Sequence, residues 1–508
     1  MKKIILIVFL TLAVTALYSQ PTYNKWITVG GNNNRTGYLD TFFDVSPFGF
    51  SRTFNAPYSI WGMPIFSYND RFVTTRYTSL SPLRALIVAF SYSDTNSKWT
   101  YGESSGVNII MGINNNKVYV RDFQQGGNDI IFALNAENGS NVWTSPFTVE
   151  RGIIWTAVFA ANGDLILPGS GTKRIMRINN LNGDTVWTNK RIIPNTGAEG
   201  MCINANTLYT WQGGITTPKT ILAIDVNTGI TKYSSMSLPG DGDQEIPFTV
   251  SSNGVVYCIR DGGLMYALKD NGTGFDSLWS RFVTQPVGTY SQIAVGKDSS
   301  VYIPFGKKIY RLNHQTGIAT DSSIDLVTIG TINPRFAMGK TGNSLYVSNG
   351  AAEPSEGKFF IFDQTLHNVS YQASYPYNYY CGPTLGGDEL NPFLLMTGGG
   401  TEIRSFYTYI DKVKINSSLL PDKFELKQNY PNPFNPVTNL EFGISNLEFV
   451  SLKVYDMLGN EVAILVNSEL NPGTYSYEFD ASGYSSGIYF YKLTAGEYSE
   501  TRKMNLIK

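Results

Sequence analysis

Cysteine, histidine and charge are all scarce in this chain of 508 residues. Its three cysteines, Cys202, Cys258 and Cys381, lie far apart with no CxxC among them. An odd, scattered set excludes a complete disulfide framework. A Cys202–Cys258 bridge is one reading, and buried free thiols in strands are the plainer one. The two histidines, His314 and His367, have no H-x-x-x-H spacing and no neighbouring thiol, which argues against a zinc site. No G-x-S-x-G occurs, and the glycines 398–400 lack the lysine of a phosphate loop. Charged residues are only 16% and the formal net charge is -1. The chain therefore has no basic patch for nucleic acid and no polybasic membrane patch.

Long apolar runs are also absent, with one exception. Behind Lys2 and Lys3, residues 4–17 are almost unbroken apolar sequence, too short to span a bilayer comfortably. Residues 1–20 read as a secretory signal peptide, cleaved between Ala16 and Pro21. No later stretch reaches the ~18 apolar residues of a membrane helix, so no transmembrane segment is expected. What is plentiful is aromatic and turn-forming: 32 Tyr, 29 Phe and 49 Gly. Aromatic side chains suit a pleated surface and glycine suits tight turns, so the chain reads as all-β.

A unit recurs through the middle. ALNAENGSNVW (133–143), RINNLNGDTVW (177–187) and AIDVNTGITKY (223–233) each hold a strand, a glycine turn and an aromatic. Trp99, Trp143, Trp187, Tyr233 and Trp279 are spaced 44, 44, 46 and 46 residues apart. An upstream strand accompanies each unit, as in Val118-Tyr119-Val120 and Val301-Tyr302-Ile303. One such hairpin cannot bury both faces, so the units must stack, and this period fits a four-stranded propeller blade. Eight hairpins imply eight blades, with an N-terminal strand closing the ring. Seven is the alternative, because the last repeats are poor.

The A-I-D-x-x-T-G segment (223–229), with Trp at the matching place in sister units, resembles the tryptophan-docking repeat of pyrroloquinoline-quinone-type propellers. The opening KWITVGGNNNRTGY (25–38) resembles the start of such proteins. The resemblance implies the fold more than the activity. Enzymes of that architecture use a calcium-bound quinone, an Asp base and, in several groups, a disulfide between adjacent cysteines. This chain has no adjacent cysteines and lacks the long insertions that build their pocket. No cofactor is therefore expected. Asp241, Asp243 and Glu245 alternate in PGDGDQE and are the best calcium candidates, although the turn glycine and bidentate glutamate of an EF-hand-type loop are absent. The tyrosines at 371, 375, 377, 379 and 380 offer a surface for a glycan or protein ligand, or else line a strand of a late blade.

From Leu419 the repeat stops. SSLLPDKFELKQNYPNPFNP marks a boundary, and six short strands with turns at DMLGNE, LNPGTY and DASGYSSG follow. Their size fits a small immunoglobulin-like β-sandwich. NYPNPFNPVTNLEF, LKVYDMLGNEV and GIYFYKL, with the basic tail TRKMNLIK, resemble the type A sorting domain of type IX secretion cargo. The resemblance implies recognition by an outer-membrane translocon and removal by a surface peptidase. Its candidate recognition residues are Tyr430, Pro431, Asn432, Pro433, Phe434, Asp456, Gly459, Gly487, Tyr489 and Lys503.

The expected organisation is a signal peptide (1–20), a quinoprotein-like propeller (21–415), a linker (416–423) and a sorting domain (424–508). The expected role is binding or scaffolding, outside the cell or on the outer-membrane surface, reached through the periplasm. The alternative is an extracellular enzyme, quinoprotein-type or glycan-processing.

Overall fold

In the computed structural model the hairpin unit becomes a four-stranded antiparallel sheet, repeated eight times in the propeller. The structure describes residues 25–508 except 26, 29–30, 33, 39–47, 93, 103–105, 124–127, 150–156, 169–173, 192–199, 214–218, 240–247, 261–262, 283–290, 331, 340–343, 352–356, 375–377, 379, 388–391, 409–412, 418–420, 447, 471 and 482–483. Among the described residues every regular element is a strand.

Blades 1–7 each use four consecutive strands, from Ile65–Tyr68 at the inner edge of blade 1 to Val369–Ser374 at the outer edge of blade 7. Blade 8 takes Thr384–Gly387, Pro392–Thr397 and Gly400–Thr408 from one end of the ring, and its outermost strand, Phe48–Ser59, from the other. The count is eight, with the N-terminal strand closing the ring.

In blades 1–7 the outermost strand presents one residue opposite the third strand, immediately beside a β-bulge. These residues are Trp99, Trp143, Trp187, Tyr233, Trp279, Asp321 and Tyr371. A bulge re-aims a side chain, here toward the next blade. Trp99, Trp143, Trp187 and Trp279 donate their indole N–H to the carbonyls of Ala136, Asn180, Val226 and His314, at 2.8–3.0 Å. The rings lie on the turn glycines Gly139, Gly183, Gly229 and Gly317, all at positive φ, where an added Cβ would come within 2.5–2.7 Å of the indole. Glycine is thus required twice over, for conformation and for space.

Three interfaces use other chemistry. In blade 4 the hydroxyls of Tyr233 and Tyr209 both donate to Asp270 of blade 5. Burial acts to raise the pKa of Asp270, but those bonds and the Gly272 N–H outweigh it and hold the carboxyl below its ordinary value. Asp321 of blade 6 pairs with His367 of blade 7 at 3.4 Å. Tyr371 of blade 7 packs on Phe406 of blade 8, with ring centroids 5.9 Å apart. At the ring closure, wholly buried Arg76 of blade 1 donates to three acceptors in blade 8: Pro57 O, Thr397 Oγ1 and Gly400 O. Burial lowers its pKa to about 10, which leaves it charged at neutral pH.

The three cysteines are free and buried. Burial pushes the Cys381 thiol up to about 12 and those of Cys202 and Cys258 up as well, so all three are poor nucleophiles.

The C-terminal unit is a sandwich of two four-stranded antiparallel sheets. One holds Val413–Ser417, Gly473–Asp480, Val437–Ile444 and Glu425–Leu426; the other holds Glu461–Leu470, Glu448–Tyr455, Gly487–Ala495 and Tyr498–Leu506. Leu440, Phe442, Val450, Leu452, Tyr491 and Leu493 fill the space between them. Val413–Ser417, expected in the propeller and linker, pairs with Gly473–Asp480 and so adds a strand to the sandwich ahead of residue 424.

Chemical denaturation should separate two of the turn glycines. Gly183→Val should cost about 2–4 kcal/mol, from left-handed strain plus overpacking against Trp143. Gly272→Ala should cost only about 1 kcal/mol, because nothing lies within 4 Å of its Cβ position. In an acid titration, the contribution of Asp270 is present above the unfolded carboxylate range and lost as pH falls through its lower folded value. Asp270→Asn should therefore be less stable than wild type at pH 7, with the difference shrinking in acid.

Candidate functional sites

A propeller offers two places for function, its central channel and its loop faces. Here one mouth of the channel is threaded by the segment that precedes the closing strand. Lys25 lies over the Tyr68 ring of blade 1 at 4.8 Å. Ile27 O accepts from Ile113 N of blade 2 at 3.0 Å, Asn34 O from Val250 N of blade 5 at 3.1 Å and Thr36 O from Val295 N of blade 6 at 3.0 Å. Gly37 O accepts from Met338 N of blade 7 at 2.7 Å, beside a parallel bridge from Tyr38 to Met338. Arg35 is buried and its guanidinium donates to Met201 O of blade 4 at 3.4 Å.

Among the described residues no three His, Cys, Asp or Glu side chains cluster to hold a metal. Asp241, Asp243 and Glu245 lie outside the described residues, as do Tyr375, Tyr377 and Tyr379. Tyr371 stands in a blade strand, and Tyr380 packs against Trp61 at 5.9 Å. A calcium-bound quinone needs carboxylate ligands and an open slot. The described channel mouth presents backbone amides of Ile113, Val250, Val295 and Met338 already bonded to the carbonyls of Ile27, Asn34, Thr36 and Gly37.

In the sandwich, the Tyr430–Phe434 stretch is fastened to the last strand. Phe434 N donates to Asn505 O and Ile507 N to Phe434 O, both at 3.0 Å. Asn505 N donates to Asn432 Oδ1 at 2.9 Å, and the Lys503 carbonyl accepts from Gln428 Nε2 at 2.8 Å. Phe434 is buried, whereas Tyr430 is 80% exposed. The Asp456 carboxylate organises its turn by accepting from Leu458 N, Asn460 N and Asn460 Nδ2 at 2.8–2.9 Å. Bonds from Asn460 above all hold its pKa below the ordinary value. Gly459 takes positive φ in the same turn, which leaves Met457 and Leu458 projecting at 69% and 87% exposure. Gly487 opens its strand, and Tyr489 donates to Ser485 O at 2.9 Å.

Residues 428–507 match the secretion system C-terminal sorting domain family. The C-terminal unit is a type IX sorting domain. Residues 83–317 match the family described as outer membrane protein assembly factor BamB, whose repeats are of the pyrroloquinoline-quinone-like kind. No curated protein matches the chain. Among solved structures, the quinohemoprotein alcohol dehydrogenase of Pseudomonas putida HK5 is 12% identical over 81% of this chain and 83% of its own, with a TM-score of 0.57. At that identity the likeness concerns the fold. PorZ, a surface component of the type IX secretion system of Porphyromonas gingivalis, is 14% identical over 87% of this chain and 69% of its own, with a TM-score of 0.43. Saccharomyces cerevisiae Sqt1 is 11% identical over 73% and 99%, with a TM-score of 0.46.

The sorting domain thus marks the chain for export to the cell surface or secretion. Its motif residues divide by role: buried Phe434 and exposed Asn432, through its bond from Asn505 N, build the fold, while the Tyr430 and Lys503 side chains face solvent. Met457 and Leu458 are exposed residues outside the expected recognition set; their signal in the sequence is a pair of large apolar residues in a turn. Phe434→Ala should destabilise the sorting domain by about 3–5 kcal/mol, and Tyr430→Ala should leave its unfolding midpoint unchanged.

Proposed function

We propose that this chain is an exported propeller that acts by binding or scaffolding on the outer-membrane surface or in the medium. It reaches that place through the periplasm, carried first by its leader. The sorting domain is then read by the translocon and removed by a surface peptidase. The observation that carries this reading is the sorting domain, which exposes Tyr430, Met457, Leu458 and Lys503 while Phe434 is buried and Asn432 is bonded to the last strand. The propeller supports a non-catalytic role through its buried thiols and a channel mouth bonded to its own backbone. A glycan or a protein is the proposed class of ligand, met on the loop faces.

Removing residues 413–508, so that no orphan strand remains, should leave folded propeller in the periplasm. Surface delivery equal to wild type would overturn the sorting role. The mature protein supplied with calcium and pyrroloquinoline quinone should oxidise neither alcohols nor sugars; turnover would overturn the non-catalytic reading.

A further inference from the structure

The four amides that bond the N-terminal segment sit at one place in the blade. Ile113, Val250 and Val295 pair with Val118, Val256 and Val301, each one residue before the buried tyrosines 119, 257 and 302. Met338 follows Ala337, which pairs with Tyr346, the corresponding tyrosine of blade 7. Each donor therefore stands at the end of an inner strand, at the channel side of its blade. An inner strand has no further strand on its channel edge, so its outward amide needs an acceptor. The segment supplies one carbonyl to each of these blades, in the order in which the blades follow one another.

The match is also selective in its side chains. Thr249 Oγ1 donates to the carbonyls of Asn34 and Arg35, and Asn34 Nδ2 donates to Asn204 Oδ1 at 3.4 Å. Asn32 folds the segment on itself, donating to Thr36 Oγ1 at 3.1 Å and to Tyr38 O at 2.8 Å. Gly37 has φ +72, and a Cβ there would stand 2.9 Å from both Gln292 Nε2 and Phe336 O. From the other side, a Cβ on Gly112 of blade 2 would meet Ile27 O at 2.6 Å. Wall and segment each carry a glycine where the other approaches.

We infer that this channel mouth is a peptide-binding site whose resident ligand is the chain's own N-terminal segment, engaged through Lys25, Ile27 and residues 34–38 and shaped by turns at Thr28–Gly31 and Asn32–Arg35. The ligand class is a turn-forming peptide bearing Asn-Arg-Thr-Gly, with Arg35 and Gly37 at positive φ, held by main-chain carbonyls on the inner-strand amides and by the buried arginine. This goes beyond the export reading and does not depend on it. Bound there, the described residues of the KWITVGGNNNRTGY opening lie along the inner-strand ends at this mouth. They also link six of the eight blades before the following strand closes blade 8.

The test places a protease site within residues 39–47 of the full chain, which separates the segment from the closing strand. After cleavage the segment should remain bound through gel filtration and exchange with a labelled synthetic peptide spanning 25–38. Peptides carrying Gly37→Val or Arg35→Ala should compete about tenfold or more weakly, the loss expected for one steric or charge-assisted contact. If the cut segment dissociates and the unfolding midpoint falls, added native peptide must restore the midpoint. Dissociation with no change in midpoint, failure of the native peptide to restore it, or equal competition by the Gly37→Val peptide would each overturn the inference.

Discussion

The propeller depends on one contact, an indole of one blade laid on the turn glycine of the next. A single four-stranded sheet has two apolar faces and cannot stand alone in water. The docking of Trp143 on Gly183 converts that liability into an interface. It buries the ring, satisfies its N–H on Asn180 O, and fixes the rotation of the next blade. Where the tryptophan is missing, the same bulged position still reaches across: Tyr233 to Asp270, Asp321 to His367, Tyr371 to Phe406. The geometry persists while the residue making the contact changes from an indole to a phenol to a carboxylate.

Repetition alone leaves a ring open at one joint and hollow along its axis. The chain addresses both with its N-terminal residues. Phe48–Ser59 completes blade 8, and Arg76 locks that joint with three donors to backbone and hydroxyl oxygens. Ile27, Asn34, Thr36 and Gly37 then satisfy inner-strand amides that face the channel. A buried guanidinium without a carboxylate is costly unless oxygens surround it, and Arg76 has them. The two ends of the propeller sequence are thus interdependent: residues made first bond residues made last, Met338 and Gly400 among them.

Much of this was legible in the residues. The 44–46 residue spacing of the aromatics marks the blades, and the alternating segments after Thr438 mark the sandwich strands to within a few residues. Both signals are periodic, because side chains facing a core recur with the backbone repeat. Contacts made by main chain leave no such trace. The segment 27–38 binds through carbonyls, so its motif is visible in the sequence while its partners are not. Val413–Ser417 lies in a stretch that reads as the end of the propeller, because its partner Gly473–Asp480 stands some sixty residues later. The docking role of Asp321 is hidden for another reason: an aspartate interrupts the aromatic series, and only the bulge beside Arg311 places it in register with the tryptophans.

One ring is thus held in two ways, by side-chain docking between blades and by a backbone thread across its axis. Native-state hydrogen exchange at the four inner-strand amides tests this most directly. The amides of Ile113, Val250, Val295 and Met338 should be protected to the level of the second-strand amides of their own blades. Exchange of these four at the rate of open, solvent-facing amides, with the blades otherwise protected, would contradict the account.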